Sequence, residues 1–145
     1  MRKSNKNIKN IDIRKYALFL INNKSYFSFE LNKKLIDKGY DLEEIIQLID
    51  NLNDSLLIND EEKFKYMIEN MQKIKKYGKE KIRYELIKKG ANNNLVKEKI
   101  KEYYIDEIEK EIMNELIERK KQELINENKQ KIKEKTYIYL KRRGF

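Results

Sequence analysis

The chain has 145 residues and a formal net charge of +9, with 34 lysines and arginines against 25 aspartates and glutamates, and it contains no proline, cysteine or histidine. Without cysteine and histidine, disulfides, Cys/His zinc sites and thiolate or imidazole catalysts are excluded. Abundant Lys, Glu, Ile and Leu favour helices throughout, so we expect an all-α protein. The sequence shows no Gly-rich phosphate loop, metal-ligand cluster or nucleophile–base pair, so we also expect a protein that is not an enzyme and needs no cofactor or metal.

The apolar runs of the chain are short. The longest unbroken run covers residues 16–21, whereas a helix that spans a bilayer needs about 20 apolar residues. The N-terminal region has neither the apolar length nor the cleavage site of a secretory signal. We therefore expect a cytoplasmic protein that does not bind membranes.

The first repeat is predicted over residues 11–57, after a polar and basic arm at 1–10 that we expect to be mobile. Apolar residues at helical spacing predict a first helix over about 11–23. The second helix is predicted to begin with Ser28 as its N-cap, because a serine oxygen can accept a bond from a free amide. A capping-box pattern at 41–44 starts the third helix.

The second repeat is predicted over residues 58–105, with Asn59 as the N-cap of its first helix. The apolar stripe of that helix consists of Phe64, Met67, Ile68 and Met71. A second helix covers about 79–89, and Asn92 or Asn93 is expected to cap the third.

Residues 106–145 are predicted to form a partial third repeat of two helices, which lacks its last helix. A capping-box pattern at 106–109 starts the first of them, a polar break at 126–128 separates the two, and the second ends at Gly144. The core of the three repeats is predicted to include Leu31, Leu35, Ile82, Leu86 and Leu140.

A phrase that ends in glycine occurs once in each repeat, as LIDKG at 35–39, LIKKG at 86–90 and LKRRG at 140–144. Basic residues are favourable near the carbonyl end of a helix, and glycine tolerates the left-handed conformation that ends one. We therefore predict structural caps at Gly39, Gly90 and Gly144. A period of about 50 residues indicates an elongated, curved tandem array of three-helix repeats, which we expect to be monomeric.

The positive charge is segregated along the chain. Residues 73–90 carry eight basic against two acidic side chains, and residues 128–145 carry seven against one. A solvated surface would show the same composition, but two basic helices in successive repeats also suit a long polyanionic partner. The binding candidates are Lys73, Lys75, Lys76, Lys79, Lys81, Arg83, Lys88, Lys89, Lys129, Lys131, Lys133, Lys135, Lys141, Arg142 and Arg143.

The chain has ten tyrosines, whose rings are of the kind that stack on nucleic-acid bases. Tyr16, Tyr66 and Tyr103, however, lie at the spacing of helix core residues, where a half-buried tyrosine is ordinary. Tyrosine content alone therefore favours packing over nucleic-acid binding.

In the order and spacing of its motifs, the sequence resembles the bacterial RecX family, which regulates the RecA recombinase. The resemblance rests on an opening Tyr16-Ala17-x-x-Leu20, on ELNKKLIDKGY at 30–40, on GKEKIRYELIKKG at 78–90 and on LKRRGF at 140–145. Two features depart from the family pattern. The aromatic residue that opens the second repeat is displaced by one position in DEEKF at 60–64, and the family usually continues past the final Gly-Phe with another helix.

The resemblance implies a non-enzymatic regulator that binds the RecA filament on single-stranded DNA along its groove and modulates, most often inhibits, recombinase activity. Some family members also bind DNA directly. Under this reading the basic candidates above would contact the filament. The alternative reading is a helical-repeat DNA-binding protein that acts independently of RecA.

Overall fold

The structure is a computed structural model, and it describes residues 11–145. The predicted basic arm at residues 1–10 lies outside the described residues. Within them the chain forms only helices: α1 (Ile13–Asn23), α2 (Ser28–Lys38), α3 (Leu42–Asp54), α4 (Asp60–Lys73), α5 (Lys79–Lys88), α6 (Asn93–Tyr103), α7 (Asp106–Glu123) and α8 (Lys129–Arg142). None of these helices is long and apolar enough to cross a bilayer. The predicted all-α fold and its order of helices are confirmed.

The three glycine phrases end helices in one and the same way. Gly39, Gly90 and Gly144 all have left-handed backbones, with φ of 99°, 108° and 93°. At the last of them, the Gly144 N–H donates to the Lys141 carbonyl at 3.0 Å and the Phe145 N–H donates to the Leu140 carbonyl at 3.1 Å. This pair of bonds is the Schellman motif, and the same two bonds recur after α2 and α5. The predicted caps are confirmed.

Asparagine side chains begin three of the helices, as the polar breaks in the sequence predict. The Asn59 carboxamide oxygen accepts the Glu62 N–H at 3.1 Å, and the Asn128 oxygen accepts the Lys131 N–H at 2.9 Å. Of the two candidates before α6, Asn92 is the cap, since its side chain accepts the N–H groups of the second and third residues of the helix.

The other side-chain capping bonds that the sequence predicts do not form, although α3 does begin directly after Asp41. Ser28 is the first residue of α2 rather than its cap, because its N–H and hydroxyl both donate to the carboxylate of Asp60. Phe27 precedes the helix instead, and its N–H donates to Glu30 at 3.0 Å. Neither predicted capping box forms, because Asp41 makes no side-chain capping bond and Asp106 already lies inside α7.

The start of α7 is held by a buried glutamine from α4. The Gln72 carboxamide donates to the Ile105 carbonyl at 2.8 Å and accepts the Ile105 N–H at 2.9 Å. Gln72 is fully buried, so these two bonds satisfy a polar group that would otherwise be costly to bury. A distant side chain therefore does here what the predicted local cap does not.

Two compact units make up the chain, one ending at Lys63 and the other running over Phe64–Phe145. The core of the first unit consists of Ala17, Leu31, Leu35, Ile45, Leu48, Leu52 and Ile58. Buried apolar residues of the second unit include Phe64, Ile68, Met71, Ile82, Leu86, Val96, Ile112 and Leu116. The second unit thus contains most of the second repeat and all of the third, while the repeat boundaries at 57/58 and 105/106 remain a prediction.

Leu140 is a correction to the predicted core, because it is only half-buried whereas Leu31, Leu35, Ile82 and Leu86 are fully buried. In the second repeat α5 packs closely on α6, but α8 in the third repeat packs closely on α7 and no third helix of that repeat is described. Leu140 therefore lacks part of the cover that Leu86 has. Tyr66 also departs from its core spacing, since it is 68% exposed.

Candidate functional site

The C-terminal end of α8 lies against the N-terminal start of α5. The Gly78 N–H donates to the Arg143 carbonyl at 2.7 Å, and the Glu80 N–H donates to the Gly144 carbonyl at 3.2 Å. Free carbonyls at the end of one helix thereby satisfy free amides at the start of the other. The partial charges of the two helix ends are also opposite, so their dipoles favour this contact.

Two glycines make this approach possible. A Cβ atom on Gly78 would overlap the Gly144 carbonyl, and a Cβ atom on Gly144 would overlap the backbone nitrogen of Lys81. Gly78 has φ of −80°, which any residue can adopt, so space alone requires glycine there. Gly144 needs glycine for space and for its left-handed backbone.

The Arg143 guanidinium also stabilises the contact between the end of α8 and the start of α5. It donates to the Lys76 carbonyl at 3.2 Å and also to the Lys75 carbonyl. Lys76 has a left-handed backbone with φ of 57°, which is unfavourable for a residue with a side chain. The guanidinium bonds hold that loop in place, so Arg143 is engaged in the fold.

Tyrosine rings alternate with cations around this contact. The Tyr77 ring has Arg143 at 5.4 Å and Lys81 at 5.7 Å from its centroid, and Tyr139 has Arg143 at 5.5 Å. Such distances allow cation–π attraction. We call this surface the basic junction and define it as Lys75, Tyr77, Lys81, Tyr84, Tyr137, Tyr139, Lys141, Arg142 and Arg143.

Two rings of the basic junction are open to solvent. Tyr84 is 58% exposed with Lys81 at 5.3 Å from its centroid, and Tyr137 is 62% exposed with Lys141 at 5.6 Å. An exposed ring beside a cation is the arrangement that lets a surface hold a nucleobase and its phosphate together.

Carboxylates neutralise much of the charge on α5 and the loop before it. Lys76 pairs with Glu115, Lys79 pairs with Asp106 at 2.7 Å, and Arg83 pairs with Glu80 at 3.0 Å. The hydrogen bond that Lys79 donates to Asp106 raises the pKa of Lys79, and the bond that Lys76 donates to Glu115 lowers the pKa of Glu115. Part of the positive charge in this region is therefore compensated inside the molecule.

Ion pairs also involve some of the candidates on α8 and at the start of α5. Glu127 lies 2.9 Å from Lys135 and 3.8 Å from Lys131, while Lys81 pairs with Glu85 at 3.0 Å. Apart from Arg143, the candidates without a carboxylate partner among residues 11–145 are Lys73, Lys75, Lys88, Lys89, Lys129, Lys133, Lys141 and Arg142. These side chains hold the charge that remains available to a partner.

A cleft of about 430 Å³ opens between α5, α6 and the start of α7. Its lining includes Lys97 and Lys101 as well as Glu80 and Asp106, so its charge is mixed. Tyr104 closes one side, and burial raises the pKa of its hydroxyl, which donates to Glu109 at 2.9 Å. In residues 11–145 no group of three or more acidic side chains is placed to hold a metal.

The structure brings together part of the predicted set. Lys75, Lys81 and the 141–143 triplet meet at the basic junction. Lys88 and Lys89 lie at the opposite end of α5, and the lysines at 129–135 lie in the N-terminal half of α8, which at 14 residues is about 21 Å long. Gly78 and the tyrosines of α8 were missed by sequence reasoning. The signal for them was a fourth glycine at a helix start and a Tyr-x-Tyr pair beside LKRRG.

Known proteins are similar in sequence to this chain over most of its length. The chain is similar to "Regulatory protein RecX" of Chlorobium limicola, with 33% identity over 130 residues that cover 90% of this chain and 79% of that one. It is 28% identical over 129 residues to "Regulatory protein RecX" of Caldanaerobacter subterraneus, which covers 88% of this chain and 62% of the relative. No protein-family model matches the sequence.

The fold has a solved counterpart. The crystal structure of RecX from Lactobacillus salivarius superposes with a TM-score of 0.82 at 22% identity and covers 92% of this chain and 86% of that one. At this identity the similarity shows the fold alone, and it agrees with the helix order described above.

Proposed function

Because this chain belongs to the RecX family of regulatory proteins, we propose that it regulates the RecA recombinase and catalyses no reaction of its own. In this proposal the chain acts in the cytoplasm as a monomer and binds the RecA filament on single-stranded DNA along its groove. It inhibits strand exchange either by obstructing the groove where the second DNA enters or by promoting loss of RecA protomers.

The basic junction is the observation that supports binding to a nucleoprotein filament. It places exposed rings, Tyr84 and Tyr137, beside cations on two helices from different repeats. Lys141 and Arg142 at its edge have no carboxylate partner in the described part of the chain. A filament offers phosphates at regular intervals, which such a surface can bind without reading a sequence.

Unpaired cations at several places suit a partner that repeats. Charge contacts with nucleic acid alone give dissociation constants of roughly 10⁻⁴–10⁻⁶ M at physiological salt. When two or three such patches engage one assembly together, the apparent affinity rises by about 10²–10⁴. Lys88, Lys89 and Lys129 would add such contacts outside the basic junction.

Co-sedimentation with RecA filaments, followed by a strand-exchange assay, tests the proposal directly. We expect the chain to pellet with filaments formed on single-stranded DNA and to slow strand exchange in proportion to its concentration. A chain that stays in the supernatant and leaves exchange unchanged would end the proposal.

A pair of charge-reversal variants tests the basic junction within that assay. Lys141→Glu with Arg142→Glu should weaken filament binding roughly tenfold, because two unpaired cations become anions. The matched control is Lys33→Glu with Lys34→Glu, two exposed lysines of α2 that are not candidates. Equal weakening by both variants would show that net charge matters and position does not.

A second candidate function is DNA binding that is independent of RecA, and the exposed rings of Tyr84 and Tyr137 favour it because bases stack on such rings. Titration of bare single- and double-stranded DNA at two salt concentrations separates the two functions. Tight binding to bare DNA with no gain from adding RecA would favour the second, and weak bare-DNA binding with a large gain would favour the first.

A further inference from the structure

A second surface of interest is an apolar groove between α7 and α8, with a volume of about 540 Å³. Ile117, Ile125, Ile132 and Thr136 line its floor. Ile125 is 74% exposed, so part of this apolar lining faces solvent. Thr136 is buried, and its hydroxyl has no hydrogen-bond partner among residues 11–145. The exposed apolar lining indicates a surface that no described residue covers.

The other repeats show what covers the corresponding position. In the first repeat, α3 packs on α1 and α2 through Ile45, Leu48 and Leu52, which are all buried. In the second repeat, α6 packs on α5 through Val96 and Ile100. Each time an amphipathic helix of three turns lies on the helix that ends in the glycine phrase. In the third repeat, the helix that ends in the glycine phrase is α8, and the groove runs along α8.

The rim of the groove restricts the charge of such a helix. Lys121, Lys129 and Lys133 line it, and no carboxylate does. Lys121 pairs with Glu118 at 3.6 Å, but Lys129 and Lys133 have no carboxylate partner in the part of the chain that the structure describes. A basic helix would be repelled there, whereas acidic side chains along the edges of a helix would pair with these lysines.

We propose that this groove binds an acidic amphipathic helix of a partner protein. Apolar residues of that helix, spaced three to four apart, would lie on the isoleucines, and its carboxylates would pair with Lys129 and Lys133. Such binding needs neither RecA nor DNA, so it is separable from the proposed function.

The chain itself supplies a probe of the right chemistry. A synthetic, fluorescein-labelled peptide of residues 42–54 has the buried stripe of α3 and four acidic side chains with no basic one. We expect it to bind the full chain by fluorescence anisotropy. A control peptide in which Glu43, Glu44, Asp50 and Asp54 become the matching amides keeps the stripe and should bind roughly tenfold more weakly.

Two protein variants locate the binding. Lys129→Glu with Lys133→Glu should weaken the acidic peptide at least tenfold and should narrow the difference between the two peptides. Lys73→Glu with Lys88→Glu, which makes the same charge change outside the groove, should leave both affinities nearly unchanged. Circular dichroism confirms that each variant is folded. Absence of binding, equal binding of the two peptides, or an affinity that ignores Lys129 and Lys133 would overturn the proposal.

Discussion

Gly39 and Gly144 end their helices with the same phrase, the same left-handed backbone and the same pair of Schellman bonds, but their surroundings differ. Around Gly39, no described atom beyond its chain neighbours lies within 4 Å of the position of a Cβ. Around Gly144, that position is occupied by the backbone of Lys81. The repeated phrase therefore specifies how a helix ends, and a second glycine elsewhere decides whether that end is also a packing surface.

The second glycine is Gly78, and its counterpart in the first repeat is Phe27, 51 residues earlier. Both stand immediately before the second helix of their repeat. Phe27 buries a whole ring that stacks on Phe29 at 4.7 Å, whereas Gly78 leaves the space that the end of α8 takes. The same position of the repeat thus holds a buried side chain in the first unit and leaves space for a neighbouring helix in the second.

The largest effect is expected from Gly144→Ala compared with Gly39→Ala. Both changes force a residue with a Cβ into a left-handed backbone, at about 1–2 kcal/mol of unfolding free energy. At Gly144 the overlap with Lys81 should add about 1–3 kcal/mol. Urea unfolding of the full chain, followed by circular dichroism, measures both. Equal losses at the two positions would mean that α8 does not rest on α5.

Gly78→Ala should follow, with a loss of about 1–3 kcal/mol that comes from overlap alone, since φ at this position suits alanine. Hydrogen exchange gives a local measure, because the Glu80 N–H is bonded to the Gly144 carbonyl and should exchange faster once α8 is displaced. Exchange in α2 serves as the internal control. Unchanged protection of Glu80 would contradict the prediction.

Sequence reasoning predicted the helices because their signals are local. The spacing of Leu31 and Leu35, the asparagines before α6 and α8, and the glycine phrases all act within a few residues of where they stand. The predicted helix starts at Ser28 and Asp106 are wrong in detail, because residues distant in the chain determine how these helices begin. Ser28 is engaged by Asp60, and the start of α7 is held by Gln72.

The sequence predicts which basic residues could form the candidate site, but it does not predict which of their charges are paired with carboxylates. The basic composition of 73–90 and 128–145 is plain in the sequence, whereas the partners of Lys76 and Lys79 are not. Glu115 and Asp106 are far from these lysines along the chain, so only the packing of α7 shows that part of the charge is used internally. The meeting of Gly78 with Gly144 is of the same kind.

A smaller effect is expected from Arg143→Lys, which introduces the residue type found at the equivalent position of the first repeat, Lys38. Lys38 only lies over the Tyr16 ring at 5.0 Å, while Arg143 also bonds to two loop carbonyls. A lysine ammonium cannot reproduce the planar fork that reaches both, so we expect a loss of about 1 kcal/mol in urea unfolding. Lys38→Arg, the reciprocal change, should be neutral, and a loss there equal to that at Arg143 would remove the distinction.

The smallest effect concerns the stability of the second unit at alkaline pH. Burial and the bond to Glu109 raise the pKa of Tyr104 in the second unit, so the folded state keeps this phenol neutral after an unfolded chain would release its proton. The resulting stability is present below the ordinary tyrosine pKa of about 10 and is lost progressively as pH rises above it. Lysines titrate in the same range, so the informative quantity is the difference from Tyr104→Phe. The free energy of unfolding of Tyr104→Phe should fall less steeply with pH between about 9 and 11 than that of the parent chain. Tyr66→Phe changes an exposed ring, and its free energy of unfolding should depend on pH as that of the parent chain does. If the free energy of unfolding fell equally steeply with pH for Tyr104→Phe and for the parent chain, the prediction would be wrong, because ionisation of the Tyr104 phenol would not destabilise the fold.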